Sequence, residues 1–169
     1  MKPALRFANQ CIEWVNWAVG WFLAGLLLVM TVLITWQVFA RYVMGSPLYF
    51  SEEVARFAMV WLTMVGAGYA YRYGSMISVN VVAEFGGRTV ARVLNILGVF
   101  IVIAFALSLF VAGREIAETV AGQTSPSIRV SMAWLYSAVP AGAAMILISA
   151  VGLLIDEILG ERESPEEGE

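Results

Sequence analysis

The chain has 169 residues, of which 60% are hydrophobic and 14% charged, and its formal net charge is −3. Soluble domains are about 45–50% apolar, so this composition indicates an integral membrane protein and not a soluble enzyme. There is no histidine and one cysteine, Cys11. That excludes an intrachain disulfide, haem held by two histidines and a zinc site of the usual Cys/His type.

Four stretches contain no Asp, Glu, Lys or Arg: 14–40, 57–71, 93–113 and 130–155. A helix needs about 20 apolar residues to cross the hydrocarbon core, and the second stretch reaches this only with the turn before it. The sequence therefore predicts an all-α membrane protein, a single domain over residues 1–159 with four transmembrane helices. We place these helices at about 14–42, 53–72, 93–113 and 132–155.

The first predicted span carries three tryptophans, Trp14, Trp17 and Trp21, on one helical face. Tryptophan rings favour the level of the lipid headgroups, so this stripe predicts a membrane boundary, with packing into a helix–helix groove as the alternative. Tyr71 and Trp134, near the ends of later spans, are predicted interface anchors of the same kind.

The second predicted span follows a turn at residues 44–47 (MGSP). Ser51 can cap the free N–H groups of this helix, and Glu52 and Glu53 favour its positive end. Arg56 lies four residues after Glu52 and can pair with it. Two interpretations stay open for these charges: a capped helix start facing solvent, or a contact surface for a partner protein.

Residues 76–86 are apolar but too few to cross the membrane, so we predict an interfacial amphipathic arm helix between the second and third spans. The fourth span contains Pro140, which should kink it or free a carbonyl group. Beyond it, residues 160–169 (GERESPEEGE) are predicted to form a disordered acidic tail.

The long apolar run after Lys2 and Arg6, with no A-x-A-like cleavage site, predicts a retained first helix and not a signal peptide. With the N-terminus in the cytoplasm, six of the ten basic residues fall on the cytoplasmic side and four outside. Positive charges favour the cytoplasmic side, so we predict that both termini are cytoplasmic.

The predicted spans have no ionisable group at their centres, although catalysis or proton coupling in a membrane normally needs one. The sequence therefore predicts no enzyme activity, no catalytic residue, no metal and no cofactor. The polar residues within the spans are expected to form hydrogen bonds between helices. They are Thr31, Thr35, Gln37, Thr63, Asn95, Ser108, Ser137 and Ser149. The other polar features, including the loop at 122–129, lie at the membrane edges and indicate contact with another protein.

Residues 39–82 read FARYVMGSPLYFSEEVARFAMVWLTMVGAGYAYRYGSMISVNVV. This stretch resembles the small permease (Q) subunit of tripartite ATP-independent periplasmic (TRAP) transporters. In that family an Arg-Tyr pair ends the first span, as Arg41-Tyr42 does here, and Ser-Glu-Glu opens the second, as residues 51–53 do. A Trp about two turns on matches Trp61, and an Arg-x-Gly exit matches Arg72 and Gly74.

The resemblance continues to about Asp156, because residues 123–126 (QTSP) and 134–136 (WLY) with Pro140 resemble the family's entry to the fourth span. Two departures are clear: Phe50 replaces the usual Trp, and Asn80 stands where the exit motif often has Asp. Taken with the edge charges, these motifs define our partner-contact candidates. They are Arg41, Phe50, Ser51, Glu52, Glu53, Arg56, Trp61, Arg72, Gln123, Ser125, Pro126 and Arg129.

The resemblance implies a small subunit of the bacterial inner membrane that supports a large permease (M) subunit. That large subunit would carry the substrate and coupling-sodium sites, and a periplasmic substrate-binding protein would deliver a small organic anion such as a carboxylate. Two alternatives remain at this point: a haem-free membrane anchor of a redox complex, or a self-sufficient small transporter or channel.

Overall fold

The computed structural model describes residues 2–45 and 49–159. Four helices make up most of this part of the chain: α1 (Lys2–Tyr42), α2 (Tyr49–Thr119), α3 (Ala133–Tyr136) and α4 (Ala138–Leu159). The all-α prediction is therefore confirmed. Residues 46–47 of the predicted turn and the predicted acidic tail at 160–169 lie outside the described residues.

Helix α2 folds back on itself. A Cβ atom placed on Gly68 would lie 2.7 Å from Met145, and one placed on Gly113 would lie 2.8 Å from Val139. A straight helix would separate Gly68 from Gly113 by about 68 Å, whereas Val139 and Met145 are about 9 Å apart along α4. The reversal therefore lies between Arg72, which lies against Gly152 of α4, and Gly113, which lies against Val139. The two legs, α2a (residues 49–74) and α2b (residues 93–119), both pack on α4.

The contacts between helices define an alternating up-and-down arrangement. Gly20 lies against Tyr69, and Gly66 faces Leu23, so α1 and α2a are antiparallel. Met64 lies against Gly142, and Gly68 against Met145, so α2a and α4 run in the same direction. One end of the bundle therefore carries the α1–α2 and α2–α3 connections, and the opposite end lies near both ends of the described chain.

Three helical segments are long and apolar enough to cross a membrane: Asn9–Tyr42, Val93–Thr119 and Ala133–Asp156. They coincide with the first, third and fourth predicted spans, although two of them are longer than predicted. The helix of the third predicted span continues past Gly113 to Thr119, and Arg114 pairs with Glu118 at 3.0 Å across one turn of this extension. The second predicted span, 53–72, is helical throughout within α2a, but it is not among these three segments.

The predicted interfacial arm at 76–86 is not seen as a separate element. The helical backbone runs without interruption from Tyr49 to Thr119, so it shows no boundary between the second predicted span, the arm and the third span. Because α2 folds back on itself, this helical backbone must contain sharp kinks, and such kinks do not appear as element boundaries. The interfacial position of this segment stays a prediction.

Glycines allow the closest approach between helices in this bundle. A Cβ atom on Gly142 would lie 2.4 Å from the backbone oxygen of Met64, which is far inside van der Waals contact. Gly113 is similarly close to Pro140, at 2.9 Å from its Cδ atom. Small residues at membrane helix interfaces bring backbones together, since apolar burial gives little driving force in lipid.

Pro140 lies in the first turn of α4, and the helix is interrupted just before it, at Ser137, where α3 ends. Proline has no N–H group, so it cannot bond to the carbonyl group of Tyr136, four residues earlier. The predicted disturbance by Pro140 is thus found, but at the start of the fourth helix.

Hydrogen bonding by the polar residues within the spans differs from the prediction. Thr31, Thr63 and Ser108 each donate to the carbonyl oxygen four residues earlier in their own helix. Such bonds satisfy a hydroxyl group on the surface of a helix without a neighbour. Ser149 does act between helices, since its Oγ donates to the carbonyl oxygen of Gly68 at 2.8 Å.

Large hydrophobic side chains cover much of the outside of the bundle. On α1 they include Trp14, Leu28 and Val32, and on α2b they include Phe100 and Phe105. The core is instead rich in alanine, including fully buried Ala106, Ala138, Ala143 and Ala150. Large apolar residues outside and small residues inside are the pattern expected for helices surrounded by lipid.

Candidate functional site

Polar side chains gather at the two ends of the bundle, which we name from the described residues. The loop rim comprises the end of α1, the start of α2a and the rim loop, residues 120–132. The terminus rim comprises Asn9, Glu13, Arg72 and Asp156. Glu53 and Arg72 are separated by about 28 Å along a helix, close to the roughly 30 Å thickness of the hydrocarbon core.

Glu53 is the centre of the contacts at the loop rim. Its Oε1 accepts a hydrogen bond from Ser125 Oγ. Its Oε2 accepts from the backbone N–H groups of Ser127, at 2.9 Å, and Ile128, at 3.1 Å. Both carboxylate oxygens are therefore bonded to the rim loop, and such charge-assisted bonds are stronger than bonds between neutral groups.

Glu52 and Arg56 lie beside Glu53 but pair with each other and not with the rim loop. Arg56 Nη2 is 3.3 Å from Glu52 Oε1, and both side chains are exposed. Exposed ion pairs between residues four apart on a helix contribute about 0.3–0.5 kcal/mol to stability. The adjacent acids therefore have different environments, which the sequence did not distinguish.

The rim loop is closed by its own hydrogen bonds. The N–H of Ser125 donates to Val130 O at 2.9 Å, and that of Arg129 donates to Ser125 O at 3.2 Å. Met132 N–H donates to Gln123 O at 2.8 Å. An isolated antiparallel bridge joins Thr124 and Ser131. The segment thus folds as a compact hairpin-like loop.

Arg129 has a left-handed backbone, with φ of 53°. This conformation is uncommon for residues other than glycine and persists where surrounding contacts hold it. The Arg129 side chain is exposed, as are those of Gln123 and Pro126. The loop therefore holds the backbone in a defined shape and presents these three side chains outwards.

A second link between α2a and the segment after the rim loop lies about two turns from Glu53. Trp61 Nε1 donates to the carbonyl oxygen of Trp134 at 3.0 Å. The same oxygen accepts from Ser137 Oγ at 2.8 Å. The Trp61 side chain is half-buried, whereas Trp134 is exposed on the side facing away from the bundle.

The remaining candidates at the loop rim have contrasting exposure. Arg41, at the end of α1, and Phe50 are exposed, whereas Ser51 is fully buried. Burial places Ser51 among the residues that support the start of α2a. Only Arg41 and Phe50 of these three are accessible on the surface of the chain.

Arg72 lies at the opposite end of the bundle and is 4% exposed. Its Nη1 is 2.7 Å from Asp156 Oδ2, and its Nη2 donates to Asn9 Oδ1 at 3.1 Å. Asn9 in turn donates from Nδ2 to Asp156 Oδ1 at 2.7 Å. Glu13 approaches more distantly, at 3.8 Å from Nη2. The network joins α1, α2a and α4.

Sequence reasoning selected Arg72 but missed its partners Asn9, Glu13 and Asp156. One signal was available for Asp156, which directly follows the charge-free stretch 130–155 and so ends a span, as Arg72 does. Asn9 and Glu13 gave no comparable signal, because their role depends on the register of α1 against α2a. Arg72 is buried within the chain, unlike the exposed candidates at the loop rim.

The predicted interface residues on α1 form a continuous aromatic stripe. The ring centroids of Trp14 and Trp17 are 5.8 Å apart and those of Trp17 and Trp21 are 6.1 Å apart, both with edge-to-face geometry. All three side chains are exposed, whereas Tyr71, near the terminus rim, is half-buried. The spacing of three and four residues thus places the three tryptophans on one face, as predicted.

Within residues 2–45 and 49–159, no group of three or more His, Cys, Asp or Glu side chains is placed to hold a metal ion. The carboxylates of Glu53 and Asp156 are bonded to other parts of the chain. At each rim, one of these carboxylates therefore joins separate parts of the chain. The fold and its polar rims define a multi-pass helical membrane protein.

Residues 30–160 match the family described as "Tripartite ATP-independent periplasmic transporters, DctQ component". The match covers well over half of the chain, so this protein belongs to the DctQ family of TRAP transporter small permease components. It is a component of a transporter and not an enzyme. Among curated proteins, it is similar to the "Sialic acid TRAP transporter small permease protein SiaQ" of Vibrio cholerae serotype O1. The two are 22% identical over 123 residues, which cover 72% of this chain and 70% of the relative.

Family membership confirms the resemblance drawn from the motifs at residues 39–82 and 123–140. A component of a tripartite transporter implies further components, so the alternatives of a redox anchor and a self-sufficient transporter are wrong.

Proposed function

We propose that this chain supports a large permease subunit in sodium-driven uptake of a small organic anion, and that a periplasmic binding protein delivers the anion. The observation that carries the proposal is the separation of polar groups into two rims with uncharged helices between them. Substrate and ion sites in transporters normally leave polar or charged groups near the middle of the bilayer. Their scarcity here supports placing those sites on the larger partner.

The loop rim is proposed to face the periplasm, with both ends of the chain in the cytoplasm. The excess of basic residues on the terminus side supports this orientation. We propose that α2a also crosses the membrane, which brings the number of crossings to four. The support for this crossing is the distance of about 28 Å between Glu53 and Arg72, together with close packing on α1 and α4.

The accessible candidates at the loop rim are proposed to contact the other components. Arg41, Phe50, Glu52, Arg56, Gln123, Pro126 and Arg129 are those exposed on the chain's own surface. The stripe of Trp14, Trp17 and Trp21 is proposed to lie at the cytoplasmic membrane boundary. Organic anions are the proposed substrate class, supported by the relative from Vibrio cholerae, which is a small permease protein of a sialic acid TRAP transporter.

The decisive experiment co-expresses this chain with the large permease and the periplasmic binding protein of the same TRAP system. We expect co-purification with the large membrane protein in detergent. We also expect uptake of a labelled organic anion into proteoliposomes that requires an inward sodium gradient and all three components. Uptake that persists without this chain would contradict a supporting role, and uptake driven equally by potassium would contradict sodium coupling.

A further inference from the structure

We propose that Glu53 is a positioning residue whose carboxylate holds the rim loop in its observed conformation. The loop shape itself does not depend on the proposed function. The further step, that the loop displays Gln123, Pro126 and Arg129 to the other transporter components, rests on the proposed function. This role differs from both interpretations that the sequence left open, a solvated helix cap and a direct partner contact.

The donors around Glu53 all come from one short stretch of the rim loop, 72 to 75 residues further along the chain. Ser125 is 2% exposed, so its hydroxyl group has little access to water and depends on a partner within the protein. The N–H groups of Ser127 and Ile128 converge on a single carboxylate oxygen. Three donors on two oxygens make a small anion-binding concavity filled by the chain's own acid.

The position of Glu53 in its helix argues against a capping role. Helix α2 begins at Tyr49, so Glu53 is its fifth residue and lies beyond the positions where a side chain bonds the first free N–H groups. Its oxygens instead bond to N–H groups of another segment. The left-handed backbone at Arg129 supports the same conclusion, because an unfavourable conformation persists only when nearby contacts maintain it.

Glu52 provides a matched control on the same helical turn. It carries the same charge and pairs with Arg56 at an exposed surface, away from the rim loop. Glu52→Gln removes one negative charge from the loop rim without touching the contacts of Glu53. A difference between the two Gln variants therefore reports the hydrogen bonds of Glu53 and not the net charge.

The test measures amide hydrogen exchange of the full chain in lipid nanodiscs, with thermal unfolding recorded in parallel. In Glu53→Gln, one acceptor oxygen becomes an NH₂ donor, so exchange at Ser127 and Ile128 should rise by about tenfold or more. Ser125→Ala removes one donor from the opposite side and should accelerate exchange in the same stretch by a smaller factor. Glu52→Gln should leave exchange in this stretch unchanged.

Unchanged exchange at Ser127 and Ile128 in both Glu53→Gln and Ser125→Ala would overturn the proposal. So would an equal acceleration in Glu52→Gln. Glu53→Asp keeps both oxygens on a shorter side chain and should restore part of the protection, which a general loss of folding would not allow. Failure of this test would leave the proposed transport function intact, since uptake is measured separately in the assembled transporter.

Discussion

Arg72 and Asp156 form an ion pair at the terminus rim, with 2.7 Å between Nη1 of Arg72 and Oδ2 of Asp156. The two residues belong to α2a and α4 and are both buried. Asn9 bridges them from α1 by donating to Asp156 and accepting from Arg72. Three helices therefore meet in one network at the end of the bundle near both ends of the described chain.

Removing either member of this pair should destabilise the bundle, because the other charge is left buried. We expect Arg72→Met and Asp156→Leu each to cost about 3–5 kcal/mol, and the double variant to cost less than the sum. Thermal unfolding in detergent across the four proteins of the double-mutant cycle measures the coupling. Arg56→Gln is the control, since its pair with Glu52 is exposed and contributes at most about 1 kcal/mol. Strict additivity of the two buried changes would show that the pair is not coupled.

A methyl group at Gly142 should disrupt the contact between α2a and α4. The added Cβ would lie 2.4 Å from the backbone oxygen of Met64, which cannot move as a flexible side chain would. We expect Gly142→Ala to cost about 1–3 kcal/mol, towards the upper end of that range, measured as a lower unfolding temperature. Gly25→Ala is the matched control, because nothing lies within 4 Å of a Cβ there and alanine favours the helix. Equal stability of the two variants would contradict the packing described here.

Hydropathy alone predicted crossings at about 14–42, 93–113 and 132–155, and the long apolar helical segments Asn9–Tyr42, Val93–Thr119 and Ala133–Asp156 overlap them. Lipid requires long apolar helices, and the sequence shows their length directly. Hydropathy misjudged the helix end after Gly113. There the helix continues to Thr119 through a polar stretch outside the predicted span, and Arg114 pairs with Glu118 on this extension. Charged residues thus mark where the apolar span ends but do not mark where the helix ends.

The two polar rims show a different limit of prediction from sequence. Glu53 was recognisable as part of a motif, but its partners lie 72 to 75 residues away and depend on how α2 folds back. The same holds for Arg72, whose partners come from α1 and α4. Pairings of this kind depend on helix register, which a pattern of apolar residues specifies only to within a turn.

The bond from Trp61 to the Trp134 carbonyl should contribute modestly to the loop rim. In Trp61→Phe the ring is largely retained but the Nε1 donor is lost, while Ser137 still bonds to the same oxygen. The acceptor therefore keeps one partner, and we expect a cost of about 1 kcal/mol. Thermal unfolding should show the change. Trp36→Phe is the control, because Trp36 is exposed and stacks only with Phe39 among the described ring contacts. A larger loss of stability in Trp36→Phe than in Trp61→Phe would contradict this role of the Trp61 hydrogen bond.

Ser149 should contribute to stability through a bond between helices, whereas Ser108 should not. Ser149 is fully buried and donates to Gly68 of α2a, but Ser108 is exposed and donates to Ala104 in its own helix. Bonds between membrane helices average about 0.6 kcal/mol and reach about 1.7 kcal/mol. We therefore expect Ser149→Ala to lower stability by about 1 kcal/mol, since burial leaves the Gly68 carbonyl without access to water. Ser108→Ala should be neutral or slightly stabilising, because alanine is the better helix former. The unfolding temperatures of the two variants in the same detergent test this difference. A greater loss of stability in Ser108→Ala would mean that burial does not determine how much these hydroxyl groups contribute to stability.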